Sequence, residues 1–391
     1  MHNTADLIII GGGIIGAGCA YSAAKSGRSV ILLEMKEPCY GAGGATDGII
    51  AVHTKTPGVR LRMSYRSAKM FPALLDELGD SCEYRPNCGG YILCKDALEF
   101  ETVQKNVEAE RADGVDIRMI DGKELRELEP NVASHIYGAK YAPETSIINT
   151  FSLIYRYIKR AQDYGAKVFP FTQVLDYIRK GDRVVGVHTN NGDFYGDLTV
   201  NCTGPWAGET SKPLGLDIPI RPRKGQIIIS EPVEKFAHGA FATATYTLIK
   251  YYPERAKEIL NEHQERLGNA FGIEQTDAGT LLIASTRELC GFDKRNTLDG
   301  IATVLNTAVE YMPRLREINF IRTFSGFRPF CADGQSVLGN VDHIPGYAIV
   351  AGHEGDGIAL SPLVNEMFID FLEGRPSYFD RSMFSPQRFV K

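Results

Sequence analysis

The chain has 391 residues, 43% of them hydrophobic and 23% charged, with a formal net charge of −5. That length exceeds what one hydrophobic core usually serves, so two domains are expected. Mild acidity without a lysine or arginine block argues against nucleic acid or an anionic membrane as partner, and no run approaches the roughly 20 apolar residues of a membrane span.

In chain order, the stretch Ala5 to Glu34 comes first. Leu7 to Ile10 is a short uncharged apolar run, suited to a strand buried on both faces. It is soon broken by glycines and is not a signal peptide, so the cytoplasm is the expected compartment. Gly11, Gly13 and Gly16 fit the spacing G-x-G-x-x-G. The first permits a sharp turn, the second lets a pyrophosphate approach the backbone, and the third lets helix and strand pack closely. A helix from about Ile14 to Lys25, opened by Ile14 and Ile15, aims its N–H groups and dipole at that phosphate. Gly27 ends it and Ser29 to Leu33 forms the next strand. Glu34, with Met35 beside it, stands where a carboxylate holds a ribose hydroxyl. An acid there disfavours NADP. NAD and FAD both remain.

Gly41 to Gly48 is glycine-rich and almost uncharged, which makes Gly43, Ala45, Thr46 and Gly48 candidate cofactor contacts; the alternative is a plain surface loop. Periodicity predicts a helix over 60–79, a strand Gly89–Cys94, a charged helix Ala97–Ala112 and another from Asp121 to Leu128. A helix Thr150–Tyr164, capped by Gly165, and a strand Lys167–Phe169 restore an α/β rhythm. The turn Asn190-Asn191-Gly192 signals a hairpin between strands Val184–His188 and Asp197–Asn201. The second of these strands runs into Thr203 and Gly204, where backbone can lie against a nucleotide. Ile218–Glu231 and Gly279–Thr286 read as strands around a polar helix Glu254–Leu267, with a helix Leu298–Tyr311 after them. Strand Tyr347–Ala351, glycine turn Gly352–Gly357 and helix Pro362–Leu372 then repeat the opening style. The predicted class is α/β plus α+β. A Rossmann-like domain (1–83, 145–217 and 325–391) is interleaved with a mixed-sheet domain (84–144 and 218–324).

Eight cysteines, Cys19, Cys39, Cys82, Cys88, Cys94, Cys202, Cys290 and Cys331, contain no C-x-x-C and match no common zinc or iron–sulfur spacing. Free thiols and no metal site are expected.

Five blocks in order along the chain carry a resemblance: DLIIIGGGIIGAGCAYSAAKSG with Glu34, TVNCTGPWAGE (199–209), IRPRKGQIIISEP (220–232), FSGFRPFCADGQSVLG (324–339) and AGHEGDGIALSP (351–362). The chain resembles the D-amino-acid-oxidase-like flavoprotein amine oxidoreductases. GIEQTDAGTLLIASTRELCGFDKRNT (272–297) and FDRSMFSPQRF (379–389) are similar to the FAD-carrying subunit of multi-subunit amino-acid dehydrogenases, the group of D-hydroxyproline dehydrogenase, hydrogen cyanide synthase and opine oxidase. The resemblance implies FAD in place of NAD. It also implies noncovalent binding, because Cys331 is offset from the cysteine that attaches flavin in some relatives. By position, Gly11, Gly13, Gly16 and Glu34 would hold the ADP half, with Thr203 and Gly204 near it. Val174 would meet the adenine through its main chain. Gly326 and Arg328 would border the flavin, and Gly355, Asp356, Gly357 and Ile358 would turn a helix N-terminus toward its N1/C2 edge. Negative charge gathers there on reduction, and the helix dipole favours it.

The implied reaction is oxidation of a small amino acid or secondary amine (proline-, hydroxyproline-, sarcosine- or opine-like) by hydride transfer from the carbon next to nitrogen. Arg328 is the expected clamp for the substrate carboxylate, since a guanidinium matches it bidentately; the alternative is a structural ion pair. Pro329 is expected to stiffen a turn. Tyr246, Tyr251 and Tyr252 lie where relatives cover the substrate with tyrosine, Tyr251 ranked first. His353 is expected to make a structural hydrogen bond near the flavin, His53 to serve a solvent or loop role, and Asp333 to cap a turn. The strand Leu281–Ser285 lacks the lysine by which sarcosine-type oxidases activate oxygen. A dehydrogenase is therefore expected, passing electrons to partner subunits with an iron–sulfur centre, a second flavin or an NAD(P) site. The alternatives are a stand-alone glycine or D-amino acid oxidase, an NAD-dependent dehydrogenase, and a non-catalytic flavin subunit.

Overall fold

The computed structural model describes residues 3–245, 247, 254, 262–268 and 271–390. The site is positioned by β1 (Thr4–Ile10), α1 (Ile14–Lys25), β2 (Val30–Leu33), β3 (Gly192–Asn201), β4 (Ile220–Ser230), β5 (Phe320–Cys331) and α2 (Gly357–Leu372).

β1 lies inside an eight-stranded sheet, parallel to β3 on one side and to β2 on the other. Strands Tyr347–Ala351 and Lys167–Phe169 extend this parallel set beyond β3 and β2. Its apolar, uncharged part, Leu7–Ile10, suits that place because both faces are covered there. On one face Leu7 and Ile9 pack with α1, α2 and helix Thr150–Asp163; on the other Ile8 and Ile10 pack with Phe194, Tyr347 and Ile349. Every residue of α1 from Ile14 to Ala24 is buried. Small residues make this possible: a Cβ on Gly16 would overlap the carbonyl oxygen of Gly11. The Asn190–Gly192 turn does join antiparallel strands, Arg183–Thr189 and β3.

The second sheet, also eight-stranded, runs in the order β5, β4, Leu281–Ala284, Gly272–Gln275, Ala240–Thr243, Gly90–Cys94, Gly138–Ala142, Arg118–Asp121. It is antiparallel except between Ala240–Thr243 and Gly90–Cys94, which makes it mixed as the sequence suggests. Helix Leu298–Tyr311 covers one face through Val304, Ala308 and Tyr311. The class is therefore α/β plus α+β, and among the described residues no helix is long and apolar enough to cross a membrane.

Several local readings change. The charged helix is two, Ala97–Gln104 and Val107–Ala112, broken at Lys105-Asn106; asparagine is a poor helix-interior residue and here stands at the N-cap position of the second piece, without a side-chain capping bond. α2 begins at Gly357 and carries Pro362 inside it, where the sequence reading started it. Proline removes the N–H that would bond Ile358 four residues back, and the Ser361 hydroxyl takes over, donating to the Ile358 carbonyl at 3.0 Å. Pro329 stiffens no turn. It lies within β5, directly opposite Pro222 of β4, and β5 is an edge strand, where a missing N–H is tolerated. Of the polar helix, Glu262–Leu267 is described; Tyr246, Tyr251 and Tyr252 lie outside the described residues.

Candidate functional site

A cavity of about 420 Å³ runs from the Gly11 turn to the second sheet. At one end, Gly11 has a φ of 110°, and a side chain there would press on the Cys202 carbonyl oxygen at 2.6 Å. Gly13 is the N-cap of α1, no side chain caps it, and a Cβ on it would meet nothing within 4 Å. Backbone donors of α1 thus open onto empty space, the arrangement that binds a phosphate. Glu34 is buried at the cavity wall, accepting the Gly12 N–H at 2.7 Å and the Lys36 N–H at 2.9 Å. Burial pushes its carboxyl above the usual range, against the pull of these N–H groups. Met35, Gly43, Val174, Thr203 and Gly204 line the same end.

At the other end the turn before α2 is held by ion pairs. Glu354, at a φ of 53°, receives Arg287 Nη1 at 3.0 Å and also pairs with Arg223. Gly355, Asp356, Gly357 and Ile358 then line the cavity, and no side chain caps α2 either. Arg328 reaches the cavity from β5, lying over Gly225 of β4, whose missing side chain makes the room. Its Nη1 donates to the Thr286 carbonyl at 3.1 Å and its Nη2 to the Ser285 hydroxyl at 2.6 Å. Tyr40, Trp206 and Phe327 form an aromatic wall, with Phe292 stacked on Trp206 at 5.2 Å.

Between these ends sits a set of ionisable groups, of which sequence reasoning did not single out Lys55, Asp47 and Glu274. Lys55, 1% exposed, pairs with Asp356 at 3.0 Å and donates to Thr54 Oγ1 at 2.9 Å. Asp47 lines the cavity, its carboxyl raised by burial and eased down chiefly by Arg328. Glu274, 3% exposed, accepts the Gly48 N–H at 2.9 Å, and burial pushes its carboxyl up to about 8. His53 is no solvent residue: it is buried at the cavity wall, 3.1 Å from Thr145 Oγ1, and burial holds its imidazole neutral. His353 is buried there too and is lowered to about 4 by burial.

A profile of the FAD dependent oxidoreductases matches residues 6–370. The chain belongs to that family. Among relatives of this family member, hydrogen cyanide synthase subunit HcnC of Pseudomonas aeruginosa is 26% identical over 100% of this chain and 97% of its own. Glycine oxidase of Geobacillus kaustophilus is 25% identical over 100% and 98%. The crystal structure of glycine oxidase from G. kaustophilus matches with a TM-score of 0.88 at 24% identity, over 100% of both chains. L-proline dehydrogenase from P. horikoshii matches at 0.87 and 22%, over 100% and 98%. At these identities the structural likenesses establish the fold. The cofactor is FAD, which closes the NAD alternative. The oxidoreductase has a cavity that fits it: two helix N-termini without side-chain caps open onto one space, with an acid at one end and a guanidinium at the other.

Of the residues picked from sequence, Gly11, Gly13, Ile14, Ile15, Glu34, Met35, Gly43, Ala45, Thr46, Val174, Thr203, Gly204, Gly326, Arg328, His353 and Gly355–Ile358 lie on the cavity wall. Gly16 and Gly48 do not. Both are packing glycines, since a Cβ on Gly48 would overlap the Ile148 carbonyl oxygen as one on Gly16 would overlap that of Gly11. Cys331 is also off the wall, buried with Ile220 and Ile349, its thiol pushed up to about 12 by burial. Asp333 accepts the Gln335 N–H at 2.9 Å, the expected turn contact, and pairs with Arg388.

Proposed function

We propose that this oxidoreductase oxidises a small amino acid or secondary amine at the carbon next to nitrogen. FAD, held noncovalently, supplies the hydride acceptor. The observation that carries the reading is Arg328, a cation on the cavity wall beside the turn that opens α2. Gly11, Gly13 and Glu34 would hold the ADP half, Val174, Thr203 and Gly204 its flanks, and Thr46, Gly326 and Gly355–Ile358 the flavin end. Arg328 would clamp the substrate carboxylate and fix the Cα–H toward the cofactor, a positioning effect of several kcal/mol. The division into an FAD-binding and a substrate-binding unit at the boundaries given above is part of this reading, with β5 passing from one to the other.

The electrons would go to partner subunits that carry an iron–sulfur centre, a second flavin or an NAD(P) site. In support, the strand Leu281–Ala284 offers no lysine, and one relative is itself named a subunit. A cytoplasmic setting accords with eight free cysteines. A stand-alone oxidase is the second reading. Lys55 favours it by placing a cation on the cavity wall, though one balanced by Asp356. The test is an anaerobic screen of D- and L-amino acids, N-methylglycine and opines, reading loss of flavin absorbance. Bleaching by one of them is expected. If none bleaches the flavin, amine oxidation is the wrong reaction.

A further inference from the structure

We propose that Asp47 receives the ammonium group of the substrate and takes its proton, so that Arg328 and Asp47 together read an α-amino acid as a zwitterion. This rests on the amine-oxidation reading above.

Side chains alternate along a strand, so Gly326 and Arg328 share a face of β5. A Cβ on Gly326 would meet the Ala45 Cβ at 2.5 Å and the Ala45 carbonyl oxygen at 2.7 Å. The segment that carries Asp47 is therefore laid against the face from which Arg328 projects, and both side chains reach the same cavity. Of the charges around Asp47, that of Arg328 favours its ionised form most. A cation and a carboxylate on the wall of one cavity match the two ends of a zwitterion, each end gaining a charge-assisted hydrogen bond.

The other groups facing Asp47 leave it this role. Lys55 is engaged by Asp356 and Thr54, so its charge is largely met. Glu274 comes from the second sheet behind Asp47. One of its oxygens holds the Gly48 N–H; the other is buried with no hydrogen-bond partner among the described residues. With its carboxyl raised by burial, Glu274 favours the protonated form and adds little negative charge beside Asp47, though Arg85 pulls the other way; the negative charge that does act on Asp47 is that of Asp356, which is paired with Lys55. His53 and His353 share the cavity, but burial disfavours an imidazolium at either. A carboxylate is the stabler destination for the proton. In the step, one N–H bond of the ammonium breaks, one O–H bond forms on Asp47, and the nitrogen lone pair is left free. No electrons are exchanged.

The test uses the holoenzyme and two ligands that lack the oxidisable amine carbon–hydrogen bond: 2-aminoisobutyrate, with carboxylate and ammonium, and isobutyrate, with the carboxylate alone. Perturbation of the flavin spectrum reads their Kd. The wild type is expected to prefer 2-aminoisobutyrate at least tenfold, and Asp47→Asn to lose that preference. With an amino acid that bleaches the wild type anaerobically, Asp47→Asn is expected to reduce flavin at least 30-fold more slowly at pH 7. Its rate should recover as pH rises through the free amine's own pKa, and Asp47→Glu should restore part of the rate at pH 7. Equal wild-type affinity for the two ligands overturns the inference without any variant. So does an Asp47→Asn profile that superimposes on the wild type. If no amine bleaches the wild-type flavin, the amine-oxidation reading fails and this inference with it; if bleaching occurs but Asp47→Asn is unaltered, only the inference fails.

Discussion

Arg328 and Glu274 show how differently two ionisable side chains report themselves. Arg328 is legible in sequence because it sits in Gly326-Phe-Arg-Pro329, and its structural alternative is half true: it does bond Ser285 and Thr286. Those bonds orient a guanidinium that also reaches the cavity. Arg328→Ala is expected to keep FAD and weaken substrate binding about 100-fold, which is about 2.7 kcal/mol and within the range for hydrogen bonds to charged groups. Arg328→Lys restores only part of this, because an ammonium lacks the planar fork. Anaerobic titrations of flavin absorbance give the Kd values, and unaltered reduction by amino acids in Arg328→Ala would refute the clamp. Glu274 falls inside the resemblance block 272–297 without being marked there, and its importance comes from burial beside Gly48, 226 positions away. Its folded pKa of about 8 lies above the ordinary unfolded value of about 4.3. Its contribution to stability is therefore fully present below about pH 4.3 and is lost as pH rises through about 8. Denaturant midpoints at pH 5 and pH 9 should show the wild type losing stability relative to Glu274→Gln, which cannot ionise. Parallel behaviour of the two proteins would mean that the carboxyl is not raised.

Most helix starts were legible, those at Ile14, Ala97, Thr150 and Leu298 to the residue, but the start of α2 was misread for a clear reason. Proline favours the first turn of a helix, so Pro362 reads as a start signal. It sits in the interior because Ser361 answers the carbonyl that proline leaves unbonded, a contact invisible without the folded backbone. Ser361→Ala is expected to cost about 1 kcal/mol, the worth of one hydrogen bond, read as a lower denaturant midpoint. α1 makes the opposite case. Its three motif glycines carry distinct physical jobs, and the structure keeps those jobs apart: Gly11 turns, Gly13 faces open space, Gly16 packs. Gly16→Ala must push α1 off the Gly11 turn. We expect a loss of about 1–3 kcal/mol from overpacking and a fall in FAD per chain after purification, read from absorbance at the flavin band. Normal FAD content with an unchanged melting temperature would contradict the packing.

At the scale of the whole molecule, the two sheets are made to meet at one cavity. β4 and β5 pair along nearly their whole length and bring Gly225, Gly326 and Arg328 to its wall, while β1, α1 and the turn that follows β3 supply the opposite end. The route of the electrons belongs to this scale. The isolated chain is expected to bleach quickly with its substrate without oxygen and to release hydrogen peroxide slowly in air. Rapid peroxide release would exclude the dehydrogenase reading and favour the stand-alone oxidase.

The sequence by itself determined the parts whose signal is local. Spacing of Gly11, Gly13 and Gly16, the charge-free run of β1 and the acid at Glu34 name a dinucleotide turn, because each requirement falls on near neighbours in the chain. The family blocks added Arg328 and the turn at Gly355–Gly357. Only the tertiary structure decided which groups share the cavity. Asp47, Lys55 and Asp356 come to its wall from the Gly41–Gly48 loop, its continuation and the turn before α2, and Glu274 of the second sheet is buried against Gly48. The protonation of Asp47 and Glu274 depends on burial and on neighbours hundreds of positions away, and no pattern along the chain encodes that.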